Sequence, residues 1–183
     1  MRLWMAFLLC AAAVMAEVPR QAGELNWVGH TGTPGSLSQH KGKIVVLEIL
    51  ATTCPHCQET AETLAKLAPE FAAKGVQILG VAVNEDANPA AFIKQFKLTF
   101  PVGKGDREKT LGFLQQSVMR SFYFPGLVFI DRNGVVQAQY SGSDAFTGAN
   151  QAQNIRKQLE KMVGESAPKK PAAATPKPAR KAS

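Results

Sequence analysis

The chain has 183 residues, 45% of them hydrophobic and 19% charged, with a formal net charge of +7. That length and apolar content fit one ordinary domain with short extensions and exclude a wholly disordered chain. The only cysteines are Cys10, Cys54 and Cys57, which excludes a closed zinc site made from two CxxC pairs.

In chain order, residues 1–16 read as a secretory signal. Arg2 gives a positive start, Leu3 to Val14 is apolar, and Val14-Met15-Ala16 offers a cleavage site, predicted after Ala16. An uncleaved anchor is the alternative, although the apolar run is shorter than the roughly 18 to 20 residues a bilayer requires. Lipid attachment at Cys10 is another, against which Leu9 is a large residue for that cleavage pattern.

A short strand is predicted over Glu24 to Val28, followed by turn chemistry from His30 to Gly35, with His30 and His40 as surface loop residues. The apolar run Ile44 to Leu50 predicts a strand buried on both faces, which makes Glu48 in its middle anomalous. A helix opens at Cys54-Pro55-His56-Cys57, with Pro55 in its first turn, Leu64, Leu67 and Phe71 on its apolar face and Gly75 as its stop. Pro69 predicts a kink or break in that helix.

Val76 to Val83 predicts a second buried strand, Asn88-Pro89 the start of a helix through Phe96, Leu98 to Val102 a short strand, and Arg107 to Gln116 a helix. Gly126 to Ile130 is a further strand, and Asp131-Arg132-Asn133-Gly134 a hairpin turn into Val135 to Tyr140. Phe146 to Val163 closes the series as a helix with Ile155, Leu159, Met162 and Val163 on its apolar side. This order predicts an α/β sandwich around a mixed sheet, residues 17–165 forming one domain.

Residues 166–183 are almost entirely Ala, Pro, Lys, Ser and Thr, a composition unable to build a core. They carry +5 of the net charge and Arg2 another +1, leaving +1 for the domain. The basic balance thus belongs to the tail and gives no ground for nucleic-acid binding by the domain. The tail reads either as a solvated extension or as a weak electrostatic contact with an anionic membrane surface or cell-wall polymer.

With Cys10 in the signal, the mature chain holds a single CxxC pair, which reads as an exchanging dithiol, a metal site or a structural disulfide. Cys54 at a helix N-terminus meets orphan N–H groups and the positive dipole end, which can lower a thiol pKa from about 8.5 to about 3.5–7.5. His56 can add a positive charge or a donor, making the disulfide more oxidising. Cys57, one turn into the helix, would resolve a mixed disulfide.

Gly42-Lys43-Ile44-Val45-Val46-Leu47-Glu48, Ala51-Thr52 before Cys54-Pro55, residues 75–83 and Tyr123 to Gly134, in this order, resemble the thioredoxin fold. More narrowly they resemble the exported TlpA/ResA-like thiol–disulfide oxidoreductases, over roughly residues 25–163, with a strand and helix inserted after the active-site helix. The resemblance implies a catalytic Cys54–Cys57 disulfide, a cis Pro125 beside it, and a Phe124 backbone that pairs with extended substrate. It also implies that Glu48, beneath the pair, accepts the proton of Cys57, the plain alternative being an edge residue with no catalytic part. Implied partners are cysteine-containing exported proteins and a membrane or periplasmic redox partner, with no cofactor and a location in the bacterial periplasm.

Three features depart from the family pattern. Thr53 replaces the usual Trp, Phe124 is bulky for its position, and Pro55-His56 is the dipeptide of DsbA-type oxidases, although the domain has no room for the helical insertion of DsbA. A metal-binding redox chaperone using Cys54, His56 and Cys57 is the alternative function; no histidine follows His56 to complete a Sco-like site. A peroxidase reading meets Leu47 and Ala51 where the peroxiredoxin pattern has Pro and Thr.

Overall fold

The computed structural model describes residues 18–116 and 121–165; the signal read from the sequence, Cys10 and the basic tail lie outside them. Among the described residues, no helix is long and apolar enough to cross a membrane.

The elements in chain order are β1 (Arg20–Gln21), β2 (Asn26–Gly29), β3 (Pro34–Ser36), β4 (Ile44–Leu50), α1 (Pro55–Ala72), β5 (Val76–Ala82), α2 (Pro89–Phe96), β6 (Val102–Gly105), α3 (Arg107–Phe113), β7 (Gly126–Ile130), β8 (Val135–Tyr140) and α4 (Gln151–Glu165). The strands form one mixed sheet in the order β1-β8-β7-β4-β5-β6-β2-β3. β4, β5 and β6 are parallel, while β7 runs antiparallel to β4. This is the predicted α/β sandwich, with one strand–helix unit more than the simplest order of elements needs.

β4 is central, and all its residues are buried, as its continuous apolar run requires. Ile44, Val46 and Leu50 face Leu64, Phe71, Ile155 and Leu159 of α1 and α4, whereas Val45, Leu47 and Ile49 face Leu111 and Phe113 of α3. The two cores cover both sheet faces.

Several boundaries differ from expectation for identifiable reasons. α1 runs through Pro69 without a break. Pro69 has no N–H for the carbonyl of Ala65, and the Thr99 hydroxyl donates to that oxygen instead, at 2.9 Å. The strand expected at Leu98 to Val102 starts only at Val102. Lys97 ends α2 in the left-handed region (φ 50°), and Leu98 and Phe100 are buried as connecting residues. Gly103 in β6 follows from packing: a Cβ there, or at Gly35 in β3, would overlap the Trp27 ring. β2 starts two residues and ends one residue later than predicted, and it pairs with a β3 whose first residues had read as turn.

α3 stops at Phe113, and Gln115 adopts a positive φ of 54°. Phe146 lies in a short 3-10 turn rather than in α4, its ring stacked on Tyr140 at 3.7 Å. The hairpin turn forms as predicted, Asp131 Oδ1 accepting from the N–H groups of Asn133 and Val135.

Candidate active site

β4 leaves the sheet at Leu50, and Ala51, Thr52 and Thr53 carry the chain to Cys54, the N-cap of α1. Proline at the next position has no N–H to lose, so the helix starts there without cost. Cys54 is partly exposed; Cys57, one turn on, is fully buried against the α1 face of the sheet. Both are free thiols, close enough for a hydrogen bond between them.

Glu48 sits on the same face of β4 as Val46 and Leu50, aligned with Gly80 of β5 and Leu127 of β7. It is completely buried, and neither carboxyl oxygen has a hydrogen-bond partner among the described residues. Burial first, and the charge of the nearby Cys54 sulfur second, hold its carboxyl well above the usual range. Burial likewise pushes the Cys57 thiol up, with the Cys54 contact and the charge of Glu48 adding to it. The Ala51 backbone, which lies at the Cys57 sulfur, pulls the other way. A buried carboxyl with no partner, electrostatically coupled to both cysteines, can take or give the proton of a neighbouring thiol.

β7 begins at Gly126, paired with Ile49 at the end of β4 nearest the cysteines. Pro125 therefore lies at the same sheet edge as Cys54; it is buried, and the Phe124–Pro125 peptide is cis. Phe124 is half-buried, edge-on to Phe122 at 5.0 Å, with the Arg107 guanidinium over its ring at 5.4 Å. Tyr123 beside it is exposed.

His56, next to Pro55, lies on the outer side of the first turn of α1. Its side chain is 75% exposed and lies beside Glu59, Nδ1 at 3.7 Å from Oε2. Among the described residues, no group of three or more His, Cys, Asp or Glu side chains is set to hold a metal ion.

Four further residues shape the site without having been singled out in the sequence. Asn84 and Gln58 bind the loop before Cys54. The buried Thr60 hydroxyl lies 2.8 Å from His56 O and 2.7 Å from Gln151 Oε1, linking α1 to α4. Gly142 rests its backbone on the Phe124–Pro125 peptide. Only Asn84 left a signal, a polar residue directly after an apolar strand run.

Fold and site together define a thioredoxin-like thiol–disulfide oxidoreductase. Residues 17–139 match the AhpC/TSA family, and the chain belongs to it. Over 130 residues it is 28% identical to the Thiol-disulfide oxidoreductase ResA of Bacillus thuringiensis subsp. konkukian, covering 69% of this chain and 70% of that protein. It is 27% identical over 113 residues to the chloroplastic Peroxiredoxin Q of Sedum lineare, covering 60% of this chain and 61% of that one. Its fold is similar to the crystal structure of a thiol:disulfide interchange protein of the thioredoxin family from Chlorobium tepidum TLS. There the TM-score is 0.66 at 22% identity, over 82% of this chain and all of that one.

Proposed function

We propose that the chain is an exported oxidoreductase, cleaved after Ala16, whose domain at residues 17–165 exchanges a Cys54–Cys57 disulfide with cysteines of other exported proteins in the bacterial periplasm. A membrane or periplasmic redox partner resets the pair, and the basic tail, residues 166–183, adds a weak contact with an anionic membrane surface. The observation that carries the reading is the buried, unpartnered Glu48 beneath a half-exposed and a buried thiol. A purely structural cysteine pair has no use for such a carboxyl, whose burial costs stability.

When the protein acts as a reductant, the Cys54 thiolate attacks one sulfur of a substrate disulfide. A new S–S bond joins Cys54 to the substrate, and the substrate's second sulfur leaves as a thiolate. Cys57 passes its proton to Glu48 and attacks the Cys54 sulfur. The mixed disulfide breaks, Cys54–Cys57 closes, and the substrate departs with two electrons. Run backwards, the same steps oxidise a substrate dithiol. Phe124, ahead of Pro125, offers its backbone to the extended substrate, and His56 tunes the couple through its charge near Cys54.

Exchange with a peptide disulfide tests the reading. Cys54→Ser abolishes it and Cys57→Ala accumulates the mixed disulfide, whereas normal turnover by the Cys54 variant overturns the proposal. The equilibrium of the pair with glutathione, and the redox state trapped in intact cells, assign the direction of electron flow.

A further inference from the structure

The three residues between β4 and Cys54 are held by consecutive residues of the neighbouring strand end. The Val83 N–H donates to Leu50 O at 3.0 Å, fixing the Leu50–Ala51 peptide. Asn84 fixes the next one: its Oδ1 accepts the Thr52 N–H at 2.9 Å, and its Nδ2 donates to Thr52 Oγ1 at 2.9 Å. Nδ2 also donates to Asp86 Oδ1 at 2.8 Å, so the amide can face Asp86 only with its amino group. On the other side, Gln58 in the first turn of α1 donates from Nε2 to Thr52 O at 3.0 Å, closing a ring around the Cys54–Cys57 segment.

Ala51, held on both sides, touches both cysteines. Its carbonyl accepts the Cys54 N–H at 3.0 Å, and its backbone lies at the Cys57 sulfur. A loop of three residues with no side-chain anchor of its own would otherwise sample several peptide orientations. Asn84 grips the N–H and the hydroxyl of Thr52 together because one short side chain carries both an acceptor and a donor, which Leu does not.

We infer that Asn84 is a positioning residue of the dithiol: by gripping Thr52 it holds the Ala51–Thr52 peptide so that the Ala51 carbonyl accepts the Cys54 N–H, which fixes Cys54 for resolution of the mixed disulfide. The inference rests on the reading of Cys54 as the attacking and Cys57 as the resolving cysteine.

Reduced protein mixed with oxidised glutathione provides the test. Cys54 attack forms a Cys54–glutathione disulfide and releases one glutathione; Cys57 attack then closes the internal disulfide and releases the second. Rapid acid quench and mass spectrometry follow the adduct. Asn84→Ala and Thr52→Val are expected to slow its decay about fivefold, the loss of about one hydrogen bond's worth of positioning. Thr52→Ser, which keeps the hydroxyl, restores the wild-type rate, and the double variant of Asn84→Ala with Thr52→Val decays no more slowly than Asn84→Ala alone. The pH profile of decay, measured alongside thermal stability, moves in Asn84→Ala and not in a core variant of equal stability. An adduct that forms normally and decays within about twofold of wild type in Asn84→Ala and Thr52→Val, well under one hydrogen bond's effect, overturns this inference alone. Absence of any Cys54 adduct in the wild-type protein overturns the functional reading and this inference with it.

Discussion

Thr99 supplies the hydrogen that Pro69 lacks: its hydroxyl donates at 2.9 Å to Ala65 O, the carbonyl that residue 69 would otherwise satisfy. The helix carrying the active site thus crosses a proline without a break, through a side chain from the loop after α2. Thr99→Val is expected to cost about 0.5–1 kcal/mol, the lower part of the range for one hydrogen bond because Thr99 is exposed. In a Pro69→Ala background the new N–H takes over the carbonyl and most of that cost disappears. Urea unfolding of the wild type, both single variants and the double variant measures the coupling, and additive effects would contradict the substitution of one donor for the other.

Gly142 offers a second test. A Cβ there would overlap the carbonyl of Phe124, and the Gly142 N–H donates to Tyr123 O at 2.8 Å. Gly142→Ala must push the Phe124–Pro125 segment away from β8. A stability loss of about 1–3 kcal/mol is expected, as for other overpacking changes. Exchange with a protein disulfide should fall much more than alkylation of Cys54 by a small reagent, since on the proposed reading only the former uses the Phe124 edge. Equal losses in both assays would place the effect on the cysteine itself.

How much of this was legible in the sequence depended on whether its cause was local. Ile44 to Leu50 announced a strand buried on both faces because its own residues are apolar, and Glu48 stood out against that run. Pro55 and Asn88-Pro89 marked helix starts through local backbone chemistry, the Asn88 side chain accepting the Ala91 N–H. Two misplacements had distant causes: the donor that rescues Pro69 lies 30 residues further on, and Gly103 of β6 is shaped by Trp27. The same holds within the site. Cys54 and Cys57 are separated by two residues in one motif, whereas Asn84 and Gly142 are brought to the site by the pairing of distant strands.

Thr60 ties the active-site helix to α4. Its hydroxyl has one proton, to be given to either of two acceptors, His56 O at 2.8 Å or Gln151 Oε1 at 2.7 Å. Thr60→Val keeps the shape and removes both bonds, at a cost of about 0.5–1.5 kcal/mol for each. Gln151→Ala removes only one and should cost less. Thermal or urea unfolding separates the two, and a Thr60→Val protein as stable as wild type would contradict the role.

Glu48 gives the protein a pH dependence of definite sign. Its folded carboxyl holds a proton more tightly than the unfolded one because burial, and then the Cys54 charge, disfavour ionisation. The folded state therefore binds more protons than the unfolded state between the two pKa values, and stability falls as pH rises. The decline begins near the unfolded value of about 4.3 and proceeds at up to about 1.4 kcal/mol per pH unit until the folded carboxyl ionises. Glu48→Gln removes this titration, so its stability relative to wild type should be greater at pH 8 than at pH 5. The same variant has no carboxylate to receive the Cys57 proton, so the Cys54 mixed disulfide should persist longer at neutral pH. Urea midpoints at the two pH values test the first expectation and quenched adduct decay the second. A parallel pH profile for the two proteins would show that Glu48 reaches solvent, and rapid resolution by a stable Glu48→Gln protein would move the proton acceptor elsewhere.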